Sequence, residues 1–354
     1  MRSLHRWVSL LLLALGACSD DAGSGAGGDA GTGGAGASAS GGGGSTASTT
    51  AIATGSGGEG GAGGSIPMGP PCVANGYDGV CVETSDCVLP GWAPIPGFCD
   101  GPAEVQCCVE LPEGTCDPSA HPLPNAGLVE APGQGGCPDG MTRVDSFCVD
   151  VYEASLVTYP DGAPVSPYFN PEGALVMAVS VAGAVPQGYI DQLQASEACL
   201  ASGKRLCTNE EWLRACQGPD TTTYPYGDDL ALGVCNDHRA EHPAIEYFMT
   251  TDDWIWFELG HPCLNQLADG LDATGLNAGC ATTEGAFDMM GNLHEWTDDP
   301  SGTFRGGFYV DTMLNGPGCL YATTAHDVSH WDYSTGFRCC ADPLGGTAAP
   351  TDEP

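Results

Sequence analysis

The apolar residues of this chain are distributed in sharply different ways along its length. Trp7 to Leu15 form one short run behind a start that carries Arg2 and Arg6, and small residues follow it. A bilayer span needs about 20 apolar residues, so this run predicts a cleaved secretory signal. From residue 19 to about 70 periodicity vanishes, and the chain is almost entirely Gly, Ala, Ser, Thr and Asp. Such a stretch cannot bury enough apolar surface to offset its ordering entropy, so it predicts a disordered tether. Some fifty residues of this kind have a root-mean-square span of about 40 Å. No later stretch reaches 18 consecutive apolar residues.

Patterning returns after the tether. Residues 72–118 predict a small unit in which cysteines and glycines outnumber large apolar groups. Residues 136–342 are long enough for one hydrophobic core, and residues 343–354 predict a disordered polar tail. Within the long stretch, Met141 to Tyr152 alternates in the manner of strands. Ile190 to Ser202 predicts a helix with Leu193, Ala195, Ala198 and Cys199 toward one side. Thr208 and Glu211 have capping-box spacing, so a second helix is predicted to start at Asn209, turn Trp212, Ala215 and Cys216 inward, and stop at Gly218. Glycine-rich and aromatic-rich loops dominate the remainder. Few strands, two helices and long loops predict an irregular α+β fold.

Cysteine changes this picture most. Leu15-Gly16-Ala17-Cys18 has the form of a bacterial lipobox, which would place a lipid on Cys18 and anchor the protein to the cell envelope. Ser19 behind it would permit sorting to the outer membrane. The other eighteen are Cys72, Cys81, Cys87, Cys99, Cys107, Cys108, Cys116, Cys137, Cys148, Cys199, Cys207, Cys216, Cys235, Cys263, Cys280, Cys319, Cys339 and Cys340, an even number. No C-x-x-C occurs among them, so disulfides formed outside the cytosol are expected in preference to zinc sites. Charge adds an exclusion. With a formal net charge of −36, nucleic acid and anionic lipid are poor partners. An acidic coat that keeps the protein soluble is the simpler meaning.

Four segments carry candidate chemistry. Cys137-Pro138-Asp139-Gly140-Met141 is followed by Phe147-Cys148-Val149-Asp150-Val151-Tyr152-Glu153. Gly203-Lys204-Arg205-Leu206-Cys207-Thr208-Asn209-Glu210-Glu211-Trp212 precedes Tyr224-Pro225-Tyr226-Gly227-Asp228. Then come Gly285-Ala286-Phe287-Asp288-Met289-Met290-Gly291-Asn292-Leu293-His294-Glu295-Trp296, Arg305-Gly306-Gly307 and Gly336-Phe337-Arg338. In this order the segments resemble the sulfatase-modifying-factor domain, the family of the formylglycine-generating enzyme, over about residues 136 to 342. The resemblance implies a C-type-lectin-like core elaborated by long loops.

Gly291-Asn292 allows a tight left-handed turn that aims successive carbonyls at one point, with the carboxylate of Glu295 four residues on. Oxygen donors of this kind suit calcium. The resemblance implies that the carbonyls of Asp288, Gly291 and Leu293 and the side chain of Glu295 hold such an ion in a structural role. It also implies that Asn236 belongs to a second site, with Asp252 or Asp253 as partner acid. The alternative is that Glu295 accepts buried backbone N–H groups. Arg305 and Arg338 are expected to pair with buried carboxylates, or to bind an acidic substrate.

The enzyme oxidises a substrate cysteine with two copper-binding cysteines, because soft thiolates select Cu(I). Here the matching positions are Asp311 and Gly316, and Phe308 stands where the enzyme has a serine. Cys319 is the nearest thiol, and pairing with Cys339 or Cys340 is its alternative use. Copper chemistry is therefore not expected. His326 and His330 would share a face if helical, with Asp327 between them. The resulting expectation is an exported, lipid-anchored binding module for a polypeptide or an envelope glycan. A modifying oxidase that acts on exported proteins is the alternative.

Overall fold

The computed structural model describes residues 68–345, apart from residues 75–76, 90 and 112–114. The signal run, Cys18, most of the tether and residues 346–354 lie outside the described residues.

Strands β1 (Pro71–Ala74), β2 (Tyr77–Glu83), β3 (Trp92–Ile95) and β4 (Val105–Glu110) make an antiparallel sheet in the order β1-β2-β4-β3. Its buried apolar cluster consists of Ala74, Ala93, Ile95, Cys107 and Val109. So small a core is marginal without cross-links. Cys72–Cys107, Cys81–Cys99 and Cys87–Cys108 supply them, all within the module. Gly79 is required where β2 crosses them: a Cβ there would lie 2.4 Å from the Cys108 carbonyl oxygen and 3.0 Å from Cys107 Sγ.

The alternating stretch that starts at Met141 folds as a hairpin, β5 (Met141–Val144) and β6 (Phe147–Asp150), reversing at Asp145 with φ 46°. A second hairpin joins β7 (Ser155–Thr158) to β8 (Val176–Val179). Helix α1 (Gln192–Ala201), β9 (Arg205–Leu206), α2 (Asn209–Gln217) and the short α3 (Pro243–Phe248) follow. The remaining strands are β10 (His294–Trp296), β11 (Phe304–Arg305), β12 (Ala322–Thr323), β13 (Thr335–Phe337) and β14 (Cys339–Ala341). One sheet has the order β5-β6-β14-β9. A second has the order β12-β11-β10-β13, with β10 and β13 parallel. The last strands thus return to pair with early ones, and chain closure is written into the sheets.

Helix α2 begins and ends as the sequence predicts. Thr208 accepts from the Glu211 N–H, Glu211 reaches back to the Thr208 N–H, and Gly218 closes the helix at φ 64°. Trp212, Ala215 and Cys216 are its buried residues. Helix α1 is capped in the same way by Asp191 and Gln194. It packs Ala195, Ala198 and Cys199 beside Leu156, Leu206, Trp296 and Phe337. Leu193 corrects the expectation, since it is 54% exposed. Helix α3 was not expected; Pro243 at its first turn and a His242 cap accepting from the Ala244 N–H account for it.

The disulfides replace much of what regular structure would supply. Cys199–Cys339 ties α1 to β14, Cys207–Cys340 ties β14 to the start of α2, and Cys137–Cys148 and Cys235–Cys280 close local loops. Cys116–Cys263 fastens the connection between module and domain. That connection is bound down further along its length. Asn125 exchanges two hydrogen bonds with the Val185 backbone, and Glu130 accepts from Lys204 and from the Ser180 N–H.

Candidate functional site

The four motif segments meet at Arg338. Its guanidinium, with 0% exposure, donates from Nε to Glu295 Oε2 and from Nη2 to Glu295 Oε1, both at 2.6 Å. The same Nη2 also donates to the Phe287 carbonyl, and Nη1 donates to the Asp150 carbonyl. Trp212 Nε1, from α2, donates to Glu295 Oε2 at 2.6 Å. The expected pairing of Arg338 with a buried carboxylate is what the structure shows, and Glu295 is that carboxylate. The missed members are Trp212 and Asp150. Asp150 accepts from the Cys339 N–H and from Lys204, which carries Glu130 on its other side at 2.9 Å. Both lie within the motifs, and Trp212 was also expected to turn inward, but nothing in the sequence tied either of them to Glu295 or Arg338.

The turn that precedes Glu295 is left-handed where expected, with φ 58° at Asp288, 77° at Gly291 and 58° at Asn292. Gly291 is obligatory, since a Cβ would sit 2.0 Å from the Asn236 carbonyl oxygen. Asn292 fastens the turn. Its side chain donates to Glu153 and to the Asp272 carbonyl, and accepts from Asn236 and from the Asp272 N–H. The other oxygen of Glu153 accepts from the Leu293 N–H at 3.0 Å. Glu153 is fully buried.

Several of the residues expected to hold calcium have protein partners. Both oxygens of Glu295 are already held by Arg338 and Trp212, so its side chain is the counter-ion of a guanidinium before it is a metal ligand. Asn236 is engaged with Gly270 and Asn292, while Asp252 and Asp253 are exposed. The charge of the corner does suit a hard cation. Glu153, Asp288 and Glu295 stand against one guanidinium. Burial first, and then the neighbouring carboxylates, push Glu153 well up and Asp288 up to about 6.

Arg305 departs from expectation. It forms no ion pair among the described residues; its Nε donates to Asn209, and its guanidinium lies 6.0 Å from the centre of the Trp212 ring. Beyond it, Gly306 and Gly307, with φ 81° and 71°, lead into a tight turn in which Phe308 and Asp311 exchange backbone hydrogen bonds. Asp311 caps the Met313 and Leu314 N–H groups. Cys319 pairs with Cys216 of α2, which corrects the expected use of Cys339 or Cys340. All eighteen cysteines among the described residues are paired.

The space beside this turn is packed with rings. His294 lies 4.6 Å from Phe304 and 4.7 Å from Phe308 between ring centres, and its nitrogens reach Ser334 Oγ and Tyr321 Oη. Burial drives its pKa down to about 3, so the ring is neutral. Ser334 donates to Asp332, which also meets His330. His326 and His330 are not helical, yet their rings stack at 3.7 Å. The stretch from residue 305 to 334 therefore has titratable groups in contact, with no thiolate among them.

Residues 170–342 match the model of the sulfatase-modifying factor enzyme 1-like domain. Among solved structures, the chain is similar to PvdO from Pseudomonas aeruginosa at 11% identity and a TM-score of 0.35, covering 55% of this chain and 80% of that one. It is similar to CarF at 14% identity and a TM-score of 0.34, covering 55% and 86%. The U1 variant of the major tropism determinant aligns at 14% identity and a TM-score of 0.36, covering 75% of this chain and 62% of that one. No curated protein matches the chain.

Proposed function

We propose, from the premise that residues 170–342 belong to the sulfatase-modifying-factor family and carry its C-type-lectin-like fold, that this domain is a binding module and not an oxidase. The observation that carries the reading is the pair Asp311 and Gly316 at the positions of the two catalytic thiols, with Cys319 consumed by Cys216. Copper needs soft thiolate donors, and an Asx turn offers none. We take the protein to be exported and held to the envelope by lipid at Cys18, with an exported polypeptide or an envelope glycan as ligand. Heavy disulfide use supports export. The domain's fold hosts many chemistries, so the residues of the site, and not the fold, decide between binding and oxidation.

Calcium belongs to the same reading as a structural ion. The surplus of buried negative charge at Glu153, Asp288 and Glu295 supports it, with the carbonyls of Asp288, Gly291 and Leu293 as donors. A peptide and glycan array probed with the full chain tests the binding role. Saturable capture of one class supports it. A blank array, together with turnover of a cysteine peptide, would replace it with the oxidase reading.

A further inference from the structure

The small module and the main domain share a cavity of about 310 Å³. Gly97 and Phe98 line it from one side, and Phe248, Met249, Asp252 and Trp254 from the other. Three of these groups are aromatic: Phe98 and Trp254 are half-buried, and Phe248, buried, backs Trp254. Trp254 makes edge contacts with Phe248 at 5.0 Å and with Phe98 at 6.3 Å between ring centres. Gly97 makes the approach possible: at φ 83° it carries no side chain, and a Cβ there would lie 3.0 Å from the Trp254 ring.

A disulfide holds one wall: Cys81–Cys99 closes the loop that bears Phe98. Cys116–Cys263 ties the connection that follows the module to the domain. Met249, left-handed at φ 53°, ends α3 and turns the chain toward Asp252 at the rim. A site built this way loses little conformational entropy on binding.

The charge at the rim selects the ligand. Asp252 and its neighbour Asp253 are exposed, and no basic residue lines the cavity. Among the described residues, every lysine and arginine already has a partner. Lys204, Arg205, Arg214, Arg239 and Arg338 are ion-paired, Arg143 bonds the Asp145 carbonyl, and Arg305 bonds Asn209. Aromatic faces attract ammonium groups, and a long aliphatic stem covers apolar wall while its charged tip reaches a carboxylate. We propose that this cavity binds the alkylammonium end of a lysine side chain on a basic polypeptide. The proposal deepens the binding reading above, and rests on it for the polypeptide as source.

Titration calorimetry of the full chain tests it, with N-acetyl-lysine amide, its trimethylammonium derivative and the neutral tert-butyl isostere. The two cations should bind saturably, the neutral isostere about tenfold more weakly or not at all. Asp252→Lys, at an exposed position that leaves the fold intact, should abolish binding. Trp254→Ala should do so as well, while Phe257→Ala outside the cavity should change nothing. Equal binding of the neutral isostere, or binding indifferent to Asp252→Lys, overturns the proposal. Choline binding as tight as the lysine amide overturns the polypeptide source in favour of a lipid headgroup. A polypeptide captured on the array but indifferent to Asp252→Lys keeps the binding module and removes this cavity from it.

Discussion

Arg338 grips Glu295 with two parallel hydrogen bonds of 2.6 Å; Glu295 sits on β10, and Arg338, 43 positions later, is the single residue between β13, which pairs with β10, and β14 of the other sheet. Removing one partner leaves an uncompensated buried charge, which costs about 3–5 kcal/mol. Glu295→Gln and Arg338→Met should each lower stability by that order in urea melts. The double variant should lose less than the sum of the two. Additive losses would show that the pair does not act as a unit.

His261 provides the pH prediction. Burial alone lowers its pKa to about 4 from the ordinary 6.5. The unfolded chain therefore takes up a proton that the folded one refuses, so stability is full above about pH 6.5 and falls as pH drops toward 4. A shift of this size is worth about 3 kcal/mol at the acid end. His242 is lowered to about 4 and His294 to about 3, both first by burial, and they act in the same direction. In melts at pH 7.5, 6 and 5, His261→Asn should flatten the decline relative to the parent chain. An identical slope would mean that His261 is solvated.

Thiol accounting gives a third expectation. Alkylation of the unreduced protein should add no mass at any of the eighteen paired cysteines. In the chain-entropy picture, removing a bridge that spans 103 residues, as Cys216–Cys319 does, costs about 4–5 kcal/mol. Cys216→Ser with Cys319→Ser should show a loss of that order. A label on Cys319 in the parent chain would contradict the assignment.

Calcium should reveal itself through stability. Dialysis against a chelator should lower the melting temperature by several degrees, and added calcium should restore it. An unchanged melt, with no metal copurifying, would leave the corner's charge to be settled by a proton on Glu153 or Asp288.

What was legible in the sequence had local causes. Thr208 and Glu211 are three residues apart, and a capping box acts over that distance, so α2 was placed to the residue. Gly291-Asn292 announced its own turn. Leu193 failed because its side of α1 depends on which strands the helix meets, and helical spacing alone does not say. Cys319 failed for the same reason: the choice between Cys216, Cys339 and Cys340 is made by the return of β14 to β6 and β9. Glu295 stood out in the sequence, but its partner Arg338 did not, since spacing shows a carboxylate without showing the guanidinium that reaches it. The cavity at Trp254 was invisible, because Phe98 and Phe248, which line it from opposite sides, stand about 150 positions apart in the chain.

The most direct test of the central reading is copper loading followed by incubation, under oxygen, with a peptide that carries the sulfatase cysteine motif. The expected result is less than stoichiometric copper and no aldehyde by mass spectrometry, because Asp311 and Gly316 supply no thiolate. One equivalent of copper, or conversion of the peptide cysteine to formylglycine, would contradict it.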